Sequence, residues 1–129
     1  MSTVSSDIEQ RLTSDPPRIA YLATATDDRP HVAPVWFYYA DGVVEIVTTG
    51  RKLANLRANP RVSLAVSSER AGVPEWTVTL RGTASVVDDP DATSDANARI
   101  NQKYGAPDDA WDENTLVRIV VGSASLRTY

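Results

Sequence analysis

The sequence contains no cysteine and a single histidine, His31. Without thiols, disulfides, thiolate metal sites and cysteine nucleophiles are excluded. One histidine rules out a multi-histidine metal site. A Ser-His-Asp device would have to use His31, and no G-x-S-x-G turn accompanies it. No catalytic side chain and no metal ligand set is therefore assigned. An all-carboxylate site could come only from the acidic last third, which reads as a solvated face. No apolar run approaches the roughly 18–20 residues of a membrane helix, so no membrane association is expected. The opening residues lack both a basic and an apolar stretch of the secretory kind, so the expected location is cytoplasmic. A formal charge of −4 speaks against nucleic acid as a partner, because a polyanion rewards a net basic surface.

What is present suits one small globular domain, residues 1–129, with 42% hydrophobic residues. Its charges are unevenly distributed. Acids crowd the last third, at Asp88, Asp89, Asp91, Asp95, Asp108, Asp109, Asp112 and Glu113. Arg51, Lys52, Arg57 and Arg61 cluster in the middle. A local basic patch in an acidic protein suits a small anionic ligand better than a polymer.

A helix is expected first, capped by Ser6 with Glu9 three residues later and with Ile8 and Leu12 on one face. Pro16-Pro17 ends it. Residues 18–26 (RIAYLATAT) read as a central strand, apolar on both faces. After the turn Asp27-Asp28-Arg29-Pro30, residues 31–39 (HVAPVWFYY) read as a second strand, with Pro34 marking an edge or a bulge. Asp41-Gly42 predicts a hairpin returning along residues 43–48. A short helix over 52–59 stops before Pro60, and a strand follows over 62–66. Residues 67–74 read as a polar loop. Residues 75–87 alternate, with Trp76, Val78, Leu80, Gly82, Ala84 and Val86 facing one way. A helix over 90–104 ends at Gly105, and a last strand covers 116–121. Six strands joined mostly by short turns favour a mainly β fold, a closed antiparallel barrel with short flanking helices, which hides its edges.

Two features carry chemistry. In Thr48-Thr49-Gly50-Arg51-Lys52 a strand ends in two hydroxyls, a glycine permits a tight turn, and two cations open a helix. Cations at that end oppose the helix dipole, whereas a phosphate there would accept bonds from hydroxyls, amides and both cations. A solvated turn would look the same. The second feature is the run Trp36, Phe37, Tyr38, Tyr39. A barrel interior takes alternate members only, so the other pair needs a loop, a ligand or a second subunit as cover. Together with the two-faced strand 18–26, this predicts a homodimer.

The order of these pieces resembles the pyridoxamine-phosphate-oxidase-like split β-barrel family, and especially its small flavin- or deazaflavin-dependent oxidoreductases. The resemblance runs from about Arg18 to Val87. It is carried by RIAYLATAT, by Arg29-Pro30-His31-Val32-Ala33-Pro34-Val35-Trp36-Phe37, by Arg51-Lys52, by Asn55-Leu56-Arg57-Ala58-Asn59-Pro60-Arg61-Val62 and by Thr77-Val78-Thr79-Leu80-Arg81-Gly82-Thr83-Ala84. It implies a split β-barrel of six antiparallel strands and a dimer with cofactor sites at the subunit interface. Arg51 and Lys52 would grip the cofactor phosphate beside Thr48 and Thr49. Val35 and Trp36 would run along the cofactor ring. Thr77 falls where vitamin-B6-oxidising members place a longer glutamine. The C-terminal Ser125-Leu126-Arg127-Thr128-Tyr129 lacks the basic set that binds a B6 phosphate, so a different small substrate is expected. The cofactor implied is flavin mononucleotide (FMN) or the deazaflavin coenzyme F-420, with the 55–60 stretch leaning toward the latter. An oxidoreductase passing a hydride between this cofactor and a small conjugated or quinone-like compound is the expected activity. The alternative is a non-catalytic flavin or haem carrier, with His31 as the one histidine able to serve as axial ligand.

Overall fold

The computed structural model of the chain describes residues 3–129. Its first element, α1 (Ser6–Thr13), buries Ile8 and Leu12, as their spacing predicts. The cap differs by one residue. Ser5, not Ser6, accepts the Ile8 amide, so Glu9 falls outside a capping box and instead accepts a 2.6 Å bond from the Tyr39 hydroxyl. A tertiary partner has claimed the carboxylate that the local motif would have used.

Strands β1 (Ala20–Thr26) and β2 (Arg29–Val35) form a hairpin whose turn residues Asp27 and Asp28 both take positive φ, 50° and 59°. This is the twist-matched turn of two-residue hairpins, and Asp tolerates it. The long second strand expected over 31–39 is two strands. Trp36 and Phe37 belong to no ladder, and β3 (Tyr38–Ala40) begins after them. Asp41 and Gly42, at φ 50° and 80°, turn the chain into β4 (Val43–Thr48). Helix α2 (Gly50–Ala58) follows, then β5 (Arg61–Arg70) and β6 (Val73–Val87). Their ladder runs through most of the expected 67–74 loop, closing with Ala71 and Gly72 at φ 52° and 81°. Helix α3 (Pro90–Lys103), capped by Asp89, leads through a turn region to β7 (Thr115–Thr128), far longer than the six residues expected. Because β6 is extended, it offers a partner along all of β7, from Leu116 opposite Val87 to Thr128 opposite Trp76.

All seven strands lie in one antiparallel sheet of order β2-β1-β5-β6-β7-β4-β3. Two expectations are corrected here: the count is seven rather than six, and the sheet is not closed. The terminal strands β2 and β3 are consecutive in sequence, yet among the described residues no ladder joins them. The break at Trp36-Phe37 explains both corrections, since it splits one strand into the two edges of the sheet. Pro34 sits on the edge strand β2, where its missing N–H costs least.

One buried cluster fills the curl of the sheet. Leu22, Phe37, Val44, Ile46, Leu64, Val78, Leu80 and Ile119 are all essentially inaccessible. The expected inward face of β6 is observed, with Val78, Leu80 and Ala84 buried and Trp76 and Val86 packed at its margins. At the β6 bulge, a Cβ on Gly82 would meet the Val120 carbonyl oxygen at 2.4 Å, so only glycine fits. Among the described residues, no helix is long and apolar enough to cross a membrane.

Candidate functional site

The turn Thr48-Thr49-Gly50-Arg51-Lys52 forms the junction of β4 and α2. Thr48 is buried at the strand end, and Thr49 is the helix N-cap in extended conformation. The Thr49 side chain makes no capping bond, and the first turn of α2 holds no acid. Gly50 takes φ +65°, which turns the chain from strand into helix where a Cβ would be strained. Arg51 is exposed and Lys52 half-buried, and neither forms an ion pair among the described residues. The helix end therefore presents uncapped amides and two unpaired cations together, the chemistry an oxyanion satisfies.

What holds α2 in this position was not legible in the sequence. Asn55 bridges two strand hydroxyls, accepting from Thr26 at 3.0 Å and donating to Thr24 at 3.2 Å. Asn59 donates to the Ala25 carbonyl and accepts from the Arg61 amide. Arg57 pairs with Asp88 at the end of β6. The Asn55-to-Asn59 stretch, suggestive as a motif, acts here as the fastening of α2 to β1.

Val35 ends β2 opposite Ala20, and Trp36 follows it outside any ladder. Tyr38 pairs with Glu45, so β3 running backward and β4 running forward leave the ladder together. Thr77 is elsewhere. It pairs with Ser67 and Arg127, whereas Thr48 pairs with Thr115 near the far end of β6. At ~3.3 Å per residue this leaves roughly 30 Å of strand between the Thr77 level and the Thr48 level. Trp36 and the Thr48-to-Lys52 turn thus both lie beyond the same end of the β3–β4 ladder, and Thr77 lies apart on the outer face of β6.

The aromatic run resolves into two inward and two covered rings. Phe37 and Tyr39 are buried, as alternation requires. The cover for the other two is α3 and the residue after it: Trp36 stacks on Tyr104, and Arg99 lies over the Tyr38 ring. The same segment binds the backbone between the strands. The Phe37 amide donates to the Tyr104 hydroxyl at 3.3 Å, and the Lys103 ammonium donates to the Phe37 carbonyl at 2.8 Å. The Tyr104 hydroxyl in turn donates a hydrogen bond to the Arg18 carbonyl at 2.6 Å. Burial lowers the Lys103 amine from its ordinary value to about 8, and the Phe37 ring face 3.6 Å from Nζ works against that fall. Burial raises Tyr104, and its bond with Phe37 offsets part of the rise.

His31 is half-buried on β2, opposite Thr24, and its Nδ1 is buried without a hydrogen-bond partner among the described residues. Size alone does not mark the site. A cleft of about 730 Å³ is lined by Asp88, Asp89, Asp95, Asp108, Asp109 and Asp112, which would repel a phosphate.

Comparison with known proteins gives three kinds of match. The family model described as pyridoxamine 5'-phosphate oxidase matches residues 8–124. A coenzyme F-420-dependent biliverdin reductase of Mycobacterium tuberculosis is 36% identical over 92 residues, covering 69% of this chain and 65% of that protein. The chain thus spans somewhat less than two thirds of the length of that relative. Among solved structures, a FAD-binding protein from Mesorhizobium loti superposes with TM-score 0.79 at 26% identity, covering 98% of this chain and 96% of its own. A structure described as an F-420 reductase gives TM-score 0.74 at 25% identity, covering 90% and 94%.

Proposed function

Because this chain belongs to the pyridoxamine 5'-phosphate oxidase family, we propose that it is an oxidoreductase that binds a flavin-type cofactor. The finer reading is a hydride transfer between coenzyme F-420 or FMN and a small conjugated or quinone-like compound, in the cytoplasm. The observation that carries it is the α2 N-terminus, where uncapped amides meet unpaired Arg51 and Lys52 behind two threonines. That donor set fits the phosphate common to both cofactors. The relative that uses F-420 and the similar F-420 reductase support a deazaflavin, and the similar FAD-binding protein supports a flavin.

When bound, the cofactor supplies the hydride chemistry. The chain's residues bind and orient it. Arg51, Lys52, Thr48 and Thr49 hold the phosphate, and the backbone of Val35 and Trp36 borders the ring. Thr77 lies roughly 30 Å of strand from this chain's own phosphate turn, so in this reading it meets a cofactor held by the turn of a second copy. A homodimer is therefore part of this reading, and the exposed Tyr21 and Val32, 49% and 64% accessible on β1 and β2, are apolar surface for it to cover.

The test is an absorption titration of the purified protein with FMN and, separately, with F-420. Saturable binding of one of them with a spectral shift is expected. If neither binds below about 100 μM, a weak affinity by any cofactor standard, the reading fails.

A further inference from the structure

The break between β2 and β3 would ordinarily leave a peptide of a buried residue without ladder partners, and a buried unpaired amide is costly. Phe37 is 1% accessible and belongs to neither strand. Both of its backbone groups are nevertheless bonded, and both to the C-terminal end of α3: its N–H to the Tyr104 hydroxyl, its carbonyl from Lys103. The adjacent Trp36 ring is fixed by the same residue, 4.6 Å from the Tyr104 ring and within 2° of parallel. Tyr104 is itself anchored on the Arg18 carbonyl, just before β1. Three contacts from two consecutive residues, one of them itself anchored on Arg18, thus hold the chain where it passes from Val35 to Tyr38.

We propose that Lys103 and Tyr104 are positioning residues for the cofactor ring: they clamp the Trp36-Phe37 segment, and so fix the backbone edge of Val35 and Trp36 along which the ring lies. This rests on the cofactor reading above. The division of labour is between two ends of one ligand. The turn from Thr48 to Lys52 holds the phosphate and supplies most of the affinity. The α3 clamp supplies orientation, through a segment that has no β-ladder to orient it. Because β2 and β3 are the two edges of the sheet, nothing in the ladder network makes up for a loosened clamp.

The variants Tyr104→Phe and Lys103→Met separate these roles. Tyr104→Phe keeps the ring stack and deletes the hydroxyl at the centre of the network, and Lys103→Met keeps the packing stem and deletes the donor. In the protein without cofactor, amide exchange at Phe37 should accelerate at least ~10-fold in each variant. With cofactor, the dissociation constant of FMN or F-420 should change less than ~3-fold. The absorption band and fluorescence of the bound cofactor should move toward those of the free one. Lys103→Arg, which keeps a donor, should restore the wild-type spectrum, and it serves as the folded control if Lys103→Met does not fold. Wild-type spectra in Tyr104→Phe and Lys103→Met would overturn the positioning role while leaving the cofactor reading intact. Failure of the wild-type protein to bind either cofactor would bring down that reading, and the positioning role with it.

Discussion

Trp36 and Tyr104 stack face to face, with centroids 4.6 Å apart and planes 2° from parallel, although one follows the edge strand β2 and the other follows α3. The hydroxyl of the same tyrosine accepts from Phe37 and donates to the Arg18 carbonyl. Tyr104 therefore ties three segments together with one side chain.

Tyr104→Phe should accordingly destabilise the fold even though the rings remain. Two hydrogen bonds are lost and the Phe37 amide and Arg18 carbonyl are left to find water, at a cost of about 1–3 kcal/mol. Urea unfolding of the two proteins measures this directly. A change below about 0.5 kcal/mol would mean that solvent replaces the hydroxyl freely.

Lys103 gives the stability a specific pH dependence. Its folded value is about 8 against an ordinary 10.5. Between these values the unfolded chain holds a proton that the folded chain has released, so stability rises with pH across the window. The penalty of the buried charge is full below about 8 and relieved above it. Tyr104, raised above 10.0, acts in the opposite sense only at higher pH. Melting temperatures of the wild type and Lys103→Met, compared from pH 7 to about pH 9.5, should converge or cross in favour of the wild type. Parallel curves would show that the amine is not desolvated.

Much of the fold was legible in local chemistry. Asp41-Gly42 between apolar runs specifies a hairpin, and β4 has the bounds its pattern predicts. The alternation of β6 placed Val78, Leu80 and Ala84 correctly, because burial on one face has a period of two. The stretch 67–74 was misread because its polar residues sit on a solvated ladder, where strand pairing needs no apolar pattern. The continuous strand over 31–39 was misread for a different reason. Trp36 and Phe37 have high strand propensity, and what removes them from the ladder is a pair of side chains 66 and 67 residues away. The unpaired cations at the α2 start could be read from the sequence, since cap and charge are local. The α3 clamp could not, since its only trace is two aromatic rings out of phase with the barrel interior.

His31 separates the two classes of cofactor. A haem carrier would use it as axial ligand, whereas a flavin-type site built on the α2 turn does not need it. His31→Ala should leave FMN or F-420 affinity within about 2-fold, read by the same titration. Loss of haem absorbance in that variant, with the wild-type protein binding haem, would favour the carrier instead.

Gly82 tests the bulge. An alanine methyl there would lie 2.4 Å from the Val120 carbonyl oxygen and 2.9 Å from an Ile119 methyl, and the first of these belongs to a backbone locked in the β6–β7 ladder. Gly82→Ala should destabilise by about 1–3 kcal/mol, the usual cost of overpacking. Thermal unfolding measures it, and an unchanged midpoint would show that the two strands slide apart at little cost.

The sharpest functional prediction concerns Arg51 and Lys52. If their cations and the free amides of α2 hold a phosphate, Arg51→Ala with Lys52→Ala should weaken FMN or F-420 binding by about 2–5 kcal/mol, since charge-assisted hydrogen bonds contribute ~1.5–3 kcal/mol each. Arg51 is exposed, which pulls the expected loss toward the lower end. The fold should survive, because neither side chain bonds another element among the described residues, and removing cations from a helix N-terminus relieves an unfavourable dipole contact. Binding should therefore fall while the melting temperature stays level or rises slightly. A double variant that binds as tightly as the wild type would place the phosphate elsewhere. One that loses stability along with affinity would show that the two cations serve the fold rather than a ligand.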